Sequence, residues 1–116
     1  QKTAYEIYQC DWSSDVCSSD LWGTDRRTWV DASPAHYLRP GMPPVLLIDT
    51  DGDEAWRQRQ MSEYARALRT AGNRDVTTVT VRGRSHMSVW TEMNEGPDEE
   101  TSSRILRFAT RLFGVP

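Results

Sequence analysis

The pattern of apolar and polar positions predicts two strands that alternate with two helices. The run VLLIDT, residues 45–50, is apolar and bounded by prolines and acids, which is typical of a strand buried on both faces of a parallel sheet. The run DVTTVTV, residues 75–81, is rich in β-branched residues and predicts a second strand. Between them, residues 54–71 predict an amphipathic helix that is capped at Gly72, and a last helix is predicted from about residue 98 to residue 113.

This order of elements predicts a parallel β-α-β unit followed by one covering helix. The expected apolar stripe of the first helix is Met61, Tyr64, Ala65, Leu68 and Ala71, and that of the last helix is Ile105, Phe108, Ala109 and Leu112. Buried parallel strands need neighbours on both edges, so we expect an incomplete α/β domain that forms the end of a larger sheet. Ahead of it, residues 22–38 are predicted to be a surface loop that leads into a short helix, with Ser33 as N-cap and Pro34 at its first position.

The first 21 residues differ in composition from the rest of the chain and contain both cysteines, Cys10 and Cys17. Their wide spacing, with no histidine nearby, disfavours a structural zinc site. The segments QKTAYEI, residues 1–7, and DWSSDVCSSDL, residues 11–21, instead resemble the two ends of a sequencing-library adapter translated in one frame. We therefore interpret residues 1–21 as an adapter-derived artefact and residues 22–116 as the native part.

This interpretation changes the charge balance. The whole chain has 14 basic and 17 acidic residues, whereas residues 22–116 have 13 arginines, no lysine and 13 carboxylates, and hence no formal net charge. Without a basic excess, neither a nucleic acid nor a membrane surface is an expected partner. The longest apolar run, VLLI, is far too short to cross a membrane. About 95 residues suffice for one small domain or a piece of a larger one.

Two polar clusters follow the two predicted strands. DTDGD, residues 49–53, follows the first strand, and GRSHM, residues 83–87, follows the second. Functional groups in open α/β sheets collect beyond the carboxyl ends of the strands, so an acid of the first cluster can meet His86 of the second. A carboxylate that orients an imidazole suits a base that activates a nucleophile.

These segments resemble the C-terminal third of an α/β-hydrolase of the carboxylesterase, feruloyl-esterase-like or kynurenine-formamidase-like kind. The resemblance rests on ASPAHYLRPGMPPVLLIDTDGDEAW, YARALRTAG and VRGRSHMSV, and extends over about residues 22–113. It implies that Asp53 is the acid of a catalytic triad and that His86, in a Gly-x-x-His loop, is the base. The family usually has His-Gly where this chain has Asp49 and Thr50, so Asp51 is the fallback for the acid.

The sequence has no counterpart of that family's nucleophile. The family's serine lies in a Gly-x-Ser-x-Gly elbow, with an oxyanion hole from a glycine-rich segment further upstream, and neither occurs here. Ser85 follows the wrong strand and is adjacent to His86, so Ser85 and Ser88 are predicted to be loop residues. We expect a fragment of a serine hydrolase that acts on small carboxylic esters, or on amides as an arylformamidase does. The fragment is expected to need no cofactor or metal and to be inactive alone.

Three alternatives stay open. Asp49 and Asp51 are similar to the Asp-x-Asp pair of a haloacid-dehalogenase-like phosphotransferase, but Asp53 replaces that motif's threonine and no lysine follows. The alternating aspartates suggest a calcium loop, but Glu54 stands where an EF-hand has glycine and Gln60 where it has glutamate. The third alternative is a non-catalytic interaction fragment, and the exposed strand edges of a fragment would favour self-association.

Overall fold

A computed structural model describes residues 25–96 and 99–114, and the adapter-derived segment predicted over residues 1–21 lies outside these ranges. Two strands are described: β1 (Val45–Thr50) and β2 (Val76–Val81). The helices are α1 (Arg26–Ala32), a 3₁₀ helix (Pro34–Tyr37), α2 (Ala55–Thr70), α3 (Ser88–Thr91) and α4 (Glu100–Phe113). Within the described ranges, no helix has the length and apolar character that a membrane span requires.

The two strands form a parallel sheet, with α2 as the connection between them. The register runs from Val45 opposite Val76 to Thr50 opposite Val81. This arrangement confirms the predicted β-α-β unit and its α/β fold class. One more backbone hydrogen bond lies just beyond β1: the N–H of Asp51 donates to the carbonyl oxygen of Val81 at 3.1 Å. Both strands therefore end at the same edge, and the loops that follow them begin side by side.

The sheet is less buried than the sequence predicts. Only Thr50 is fully buried in β1, and β2 is fully buried only at its two ends, Val76 and Val81. The prediction of a strand buried on both faces is therefore wrong for this chain. The physical reason is that the sheet has two strands in the described part of the chain, too few to give β1 a neighbour on both edges.

Helix α2 provides most of the core. Its residues Ala65 and Leu68 are buried together with Val76 of β2, which confirms the centre of the predicted stripe. The partly buried residues packed against them are Leu38, Met42, Val45, Leu47 and Tyr64. The helix ends in the predicted glycine motif, in which Gly72 has a φ of 103° and the N–H of Asn73 donates to the carbonyl oxygen of Leu68 at 3.1 Å.

The buried side chain of Asn73 holds the segment ahead of β1 against the end of α2. Its amide group donates to the carbonyl oxygens of Arg39 at 2.9 Å and Leu68 at 3.1 Å. Its oxygen accepts from the N–H of Met42 at 2.8 Å. These bonds satisfy a polar group that would otherwise be costly to bury.

The segment ahead of β1 is more helical than predicted. Residues 26–32 form α1 where the sequence predicts a surface loop, because the carboxylate of Asp25 caps the helix by accepting from the N–H of Arg27 at 2.9 Å. Pro34 begins the following 3₁₀ helix as predicted. Ser33 stands at the N-cap position, but its side chain makes no capping bond.

Helix α4 covers the sheet incompletely. Three residues of its predicted apolar face are partly buried, but Ile105 is exposed. On the rest of the helix, Leu106 is 66% exposed and Phe113 is 76% exposed. An apolar helix surface without a cover is expected where the sheet beneath it is incomplete.

Candidate active site

The two polar loops lie against each other at the carboxyl ends of β1 and β2. The N–H of Gly52, in the loop after β1, donates to the carbonyl oxygen of Arg84, in the loop after β2, at 3.1 Å. A Cβ atom at position 52 would lie 2.3 Å from that oxygen. Glycine is therefore required at this position by the close approach of the two backbones.

The structure brings Asp53 and His86 into contact. The Nδ1 atom of His86 lies 3.1 Å from Oδ2 of Asp53. The side chain of Asp53 is only 9% exposed, whereas that of His86 is 54% exposed. A shielded carboxylate thus holds one nitrogen of an accessible imidazole, and it favours the tautomer with the proton on Nδ1.

Further hydrogen bonds keep Asp53 ionised. Its Oδ1 atom accepts from the N–H of Glu54 at 2.8 Å and from Nη1 of Arg57 at 3.2 Å. Burial raises the pKa of this carboxyl, but the hydrogen bonds from the Glu54 amide, from His86 and from Arg57 outweigh burial, so the pKa lies below the ordinary 3.8. The carboxylate is therefore charged at neutral pH and can stabilise an imidazolium at His86.

Asp51, the fallback for the acid, has a different partner. Its Oδ1 atom accepts from the N–H of Gly83 at 2.9 Å. The carboxylate that meets the imidazole is that of Asp53. The geometry therefore favours Asp53 over Asp51 as the group that orients His86.

The three alternating aspartates, Asp49, Asp51 and Asp53, do not form a cluster of the kind that holds a metal ion. Within residues 25–96 and 99–114, no group of three or more His, Cys, Asp or Glu side chains is arranged to hold a metal ion. One carboxylate oxygen of Asp49 is buried without a hydrogen-bond partner in the described part of the chain. Asp51 and Asp53 bond to the loop after β2. Neither the phosphotransferase nor the calcium loop gains support from this arrangement.

The two serines beside His86 bond to each other. The hydroxyl of Ser85 donates to Oγ of Ser88 at 3.2 Å, and the N–H of Ser88 donates to Oγ of Ser85 at 3.0 Å. The N–H of Ser85 in turn donates to Oγ of Ser88 at 2.7 Å. These bonds fasten the start of α3 to the His86 loop. Ser85 lies in a loop as predicted, whereas Ser88 is the first residue of α3, so the prediction of a loop residue is wrong for Ser88.

Arg84 ties the His86 loop to the segment that leads into α4. Its guanidinium group pairs with the carboxylate of Glu92, and its Nη2 atom lies 3.9 Å from Oε1 of Glu99. Arg84 is a residue of this site that the sequence did not predict. The only signal for it is the placement of an arginine inside the Gly-x-x-His segment, upstream of an acidic turn.

Solved structures of an esterase are similar to this chain. Thermogutta terrifontis esterase 2 phosphoramylated by tabun matches with a TM-score of 0.59 and 22% identity, over 91% of this chain and 37% of that chain. The same esterase phosphorylated by paraoxon matches with a TM-score of 0.55 and 26% identity, over 78% and 32% of the two chains. Its butyrate-bound form matches with a TM-score of 0.53 and 22% identity, over 77% and 35%. The chain has the fold of part of an esterase.

The similarity covers only a fraction of that enzyme. The chain spans about a third of the esterase, 27% in one match and 37% in another. This partial coverage agrees with the predicted incomplete α/β domain. No family model matches the chain, and no curated protein matches it either.

Proposed function

We propose that this chain carries the acid and the base of a serine-type ester hydrolase of the α/β-hydrolase kind. The observation that carries the proposal is the 3.1 Å contact between Oδ2 of Asp53 and Nδ1 of His86, at the ends of two adjacent parallel strands. The similarity in fold to an esterase supports the same reaction class.

In the proposed mechanism, Asp53 holds Nδ1 of His86 and leaves Nε2 available for proton transfer. Nε2 takes the proton of a serine hydroxyl while the serine oxygen bonds to the acyl carbon of the ester. The imidazolium, stabilised by Asp53, then gives that proton to the departing alkoxide. Water releases the acid from the acyl-enzyme by the same proton transfers. The serine and the oxyanion hole belong, in this proposal, to a part of the protein outside these 116 residues.

Small carboxylic esters are the proposed substrates. The esterase of similar fold has been solved with butyrate bound, so a butyrate ester is the first choice for an assay. An amide, such as a formamide, is the alternative that the same acid and base would serve, since the proton transfers are the same.

The isolated chain is expected to hydrolyse no ester, because it lacks the nucleophile. The test is to add p-nitrophenyl butyrate to the purified chain and to its His86→Ala variant. Equal rates that do not exceed the rate in buffer are expected. If the wild type hydrolyses the ester and His86→Ala does not, the claim that the nucleophile lies outside these 116 residues is contradicted.

The native gene provides a second test, in the coding sequence that precedes the codon for residue 22 in place of the adapter-derived segment. A Gly-x-Ser-x-Gly segment is expected there directly after a predicted strand. The protein made from the extended frame should become phosphorylated on that serine by paraoxon, which mass spectrometry of the peptides detects. An extended frame without such a segment, and a protein that paraoxon does not modify, would contradict the triad.

A further inference from the structure

Four contacts join the loop after β1 to the last residue of β2 and to the loop that follows β2. They are, in chain order, Asp51 N–H to the Val81 carbonyl at 3.1 Å, Asp51 Oδ1 to the Gly83 N–H at 2.9 Å, Gly52 N–H to the Arg84 carbonyl at 3.1 Å, and Asp53 Oδ2 to His86 Nδ1 at 3.1 Å. The partners follow the same order along the two segments, although positions 82 and 85 of the second segment are skipped. The ladder of the sheet continues into the candidate site and ends at the imidazole.

Asp51 enters this ladder with its side chain. The regular pairing ends at Val81, and Gly83 has a φ of 72°, a left-handed conformation that turns the backbone out of the strand direction. The carboxylate of Asp51 accepts the N–H of Gly83 at that turn. Because His86 follows three residues later, this bond fixes the start of the turn that carries the imidazole.

The side chain of His86 is held only partly by its surroundings. It is more than half exposed, so packing constrains the ring only in part. The backbone of the loop is fixed on the other side by the bond between Gly52 and Arg84. The imidazole is thus carried by a loop whose backbone is held at Gly83 and at Arg84.

We propose that Asp51 is a positioning residue, which holds His86 against Asp53 by accepting the hydrogen bond from Gly83. The proposal rests on the proposed function of the pair and deepens it, because it gives the second carboxylate of the loop a role. Asp51 acts here as a hydrogen-bond acceptor and not as the charge that faces the imidazole.

The test compares Asp51→Asn with Asp51→Ala in the 116-residue chain. The asparagine keeps a side-chain oxygen that can accept the Gly83 N–H, and alanine removes it. The fraction of the Nδ1–H tautomer of His86 is read from its ring ¹⁵N shifts at about pH 8.5, where a free imidazole is neutral. Hydrogen exchange of the Gly83 amide is the second readout.

We expect Asp51→Asn to keep the Nδ1–H tautomer fraction of the wild type. In Asp51→Ala, that fraction should fall, and the Gly83 amide should exchange about tenfold faster, as for the loss of one hydrogen bond to a charged acceptor. Asp31→Ala removes another exposed aspartate, on α1, and should change neither readout. Since Asp51 is exposed, its replacement should preserve the fold, and circular dichroism checks this.

The outcomes separate this inference from the function on which it rests. Asp53→Ala should lose the Nδ1–H tautomer while the Gly83 amide stays protected. An unchanged tautomer in Asp53→Ala would overturn the Asp53–His86 pair and this inference together. A tautomer that changes in Asp53→Ala but not in Asp51→Ala would overturn the positioning role alone. The positioning role would also be overturned if the fraction of the Nδ1–H tautomer fell as far in Asp51→Asn as in Asp51→Ala.

Discussion

At the residue scale, the charge of Asp53 is secured from three directions. The donors are the next residue in its own loop, Arg57 in the first turn of α2, and His86 in the loop after β2. The positions of Asp53 and His86 after predicted strands were enough to suggest that they meet. The role of Arg57 was not predictable, because arginines recur along α2 and only the start of the helix decides which of them faces the acid.

Replacing Arg57 by leucine should raise the pKa of Asp53, because a hydrogen bond to the ionised form is lost while the burial that opposes ionisation remains. The stabilisation that Asp53 provides is present above pH 3.8 and is lost as the pH falls through its lower folded value, so the variant should lose it at a higher pH. A ¹³C titration of the aspartate carboxyls measures the shift. Arg59→Leu, at an exposed position of the same helix, is the control. The same Asp53 pKa in wild type and Arg57→Leu would contradict this explanation.

At the element scale, the start of α4 was predictable from the sequence pattern, but the residue that caps it was not. The acids around residue 98 predicted a helix start close to the observed one, Glu100. The cap itself is Glu99, whose carboxylate accepts from the N–H groups of Thr101 at 3.0 Å and Ser102 at 2.7 Å. Glutamate is not among the preferred N-caps, so propensity alone does not select it. Its proximity to Arg84 links this cap to the His86 loop.

Glu99→Ala should lower the free energy of unfolding by about 1–2 kcal/mol near neutral pH, the usual effect of a lost N-cap. Burial raises the pKa of Glu99, but its hydrogen bonds at the helix start outweigh burial and lower the pKa from 4.5 to about 2. The stabilisation is therefore complete above pH 4.5 and disappears as the pH falls through about 2, so the difference between wild type and variant should shrink over that range.

Urea unfolding of both proteins at several pH values measures this effect. The matched control is Glu100→Ala, which removes the neighbouring acid and an exposed ion pair with Arg104 and should cost at most about 0.5 kcal/mol. Equal losses in Glu99→Ala and Glu100→Ala, or a Glu99→Ala loss that does not change with pH, would show that the cap does not act as described.

At the scale of the whole molecule, the order of elements was predictable and their burial was not. Each strand and each long helix has its own sequence pattern, so the β-α-β unit follows from local information. Burial depends on what covers each surface, and in residues 25–96 and 99–114 only one strand lies beside β1, which leaves its other edge open. Several large apolar side chains outside the sheet are also exposed: Tyr37, Met87, Trp90, Ile105, Leu106 and Phe113.

We expect the isolated chain to associate with itself, because open strand edges and exposed apolar side chains favour contacts between copies. Sedimentation velocity of the purified chain measures its oligomeric state. Leu106→Lys, at the middle of α4, should weaken the association, because it places a charge on the exposed apolar surface. A monomeric wild type that melts cooperatively would contradict this expectation.

The most direct test of the central claim uses the protein translated from the native reading frame extended upstream of residue 22. Its kcat/KM for p-nitrophenyl butyrate is compared between the wild type and His86→Ala. The wild type should be active, and His86→Ala should lower kcat/KM by about 10³-fold or more, as expected when the general base of a triad is lost. His36→Ala, which removes the other histidine of the 116 residues, packed beside Tyr37, should leave kcat/KM unchanged. An active enzyme that keeps its kcat/KM in His86→Ala would contradict the assignment of His86 as the base.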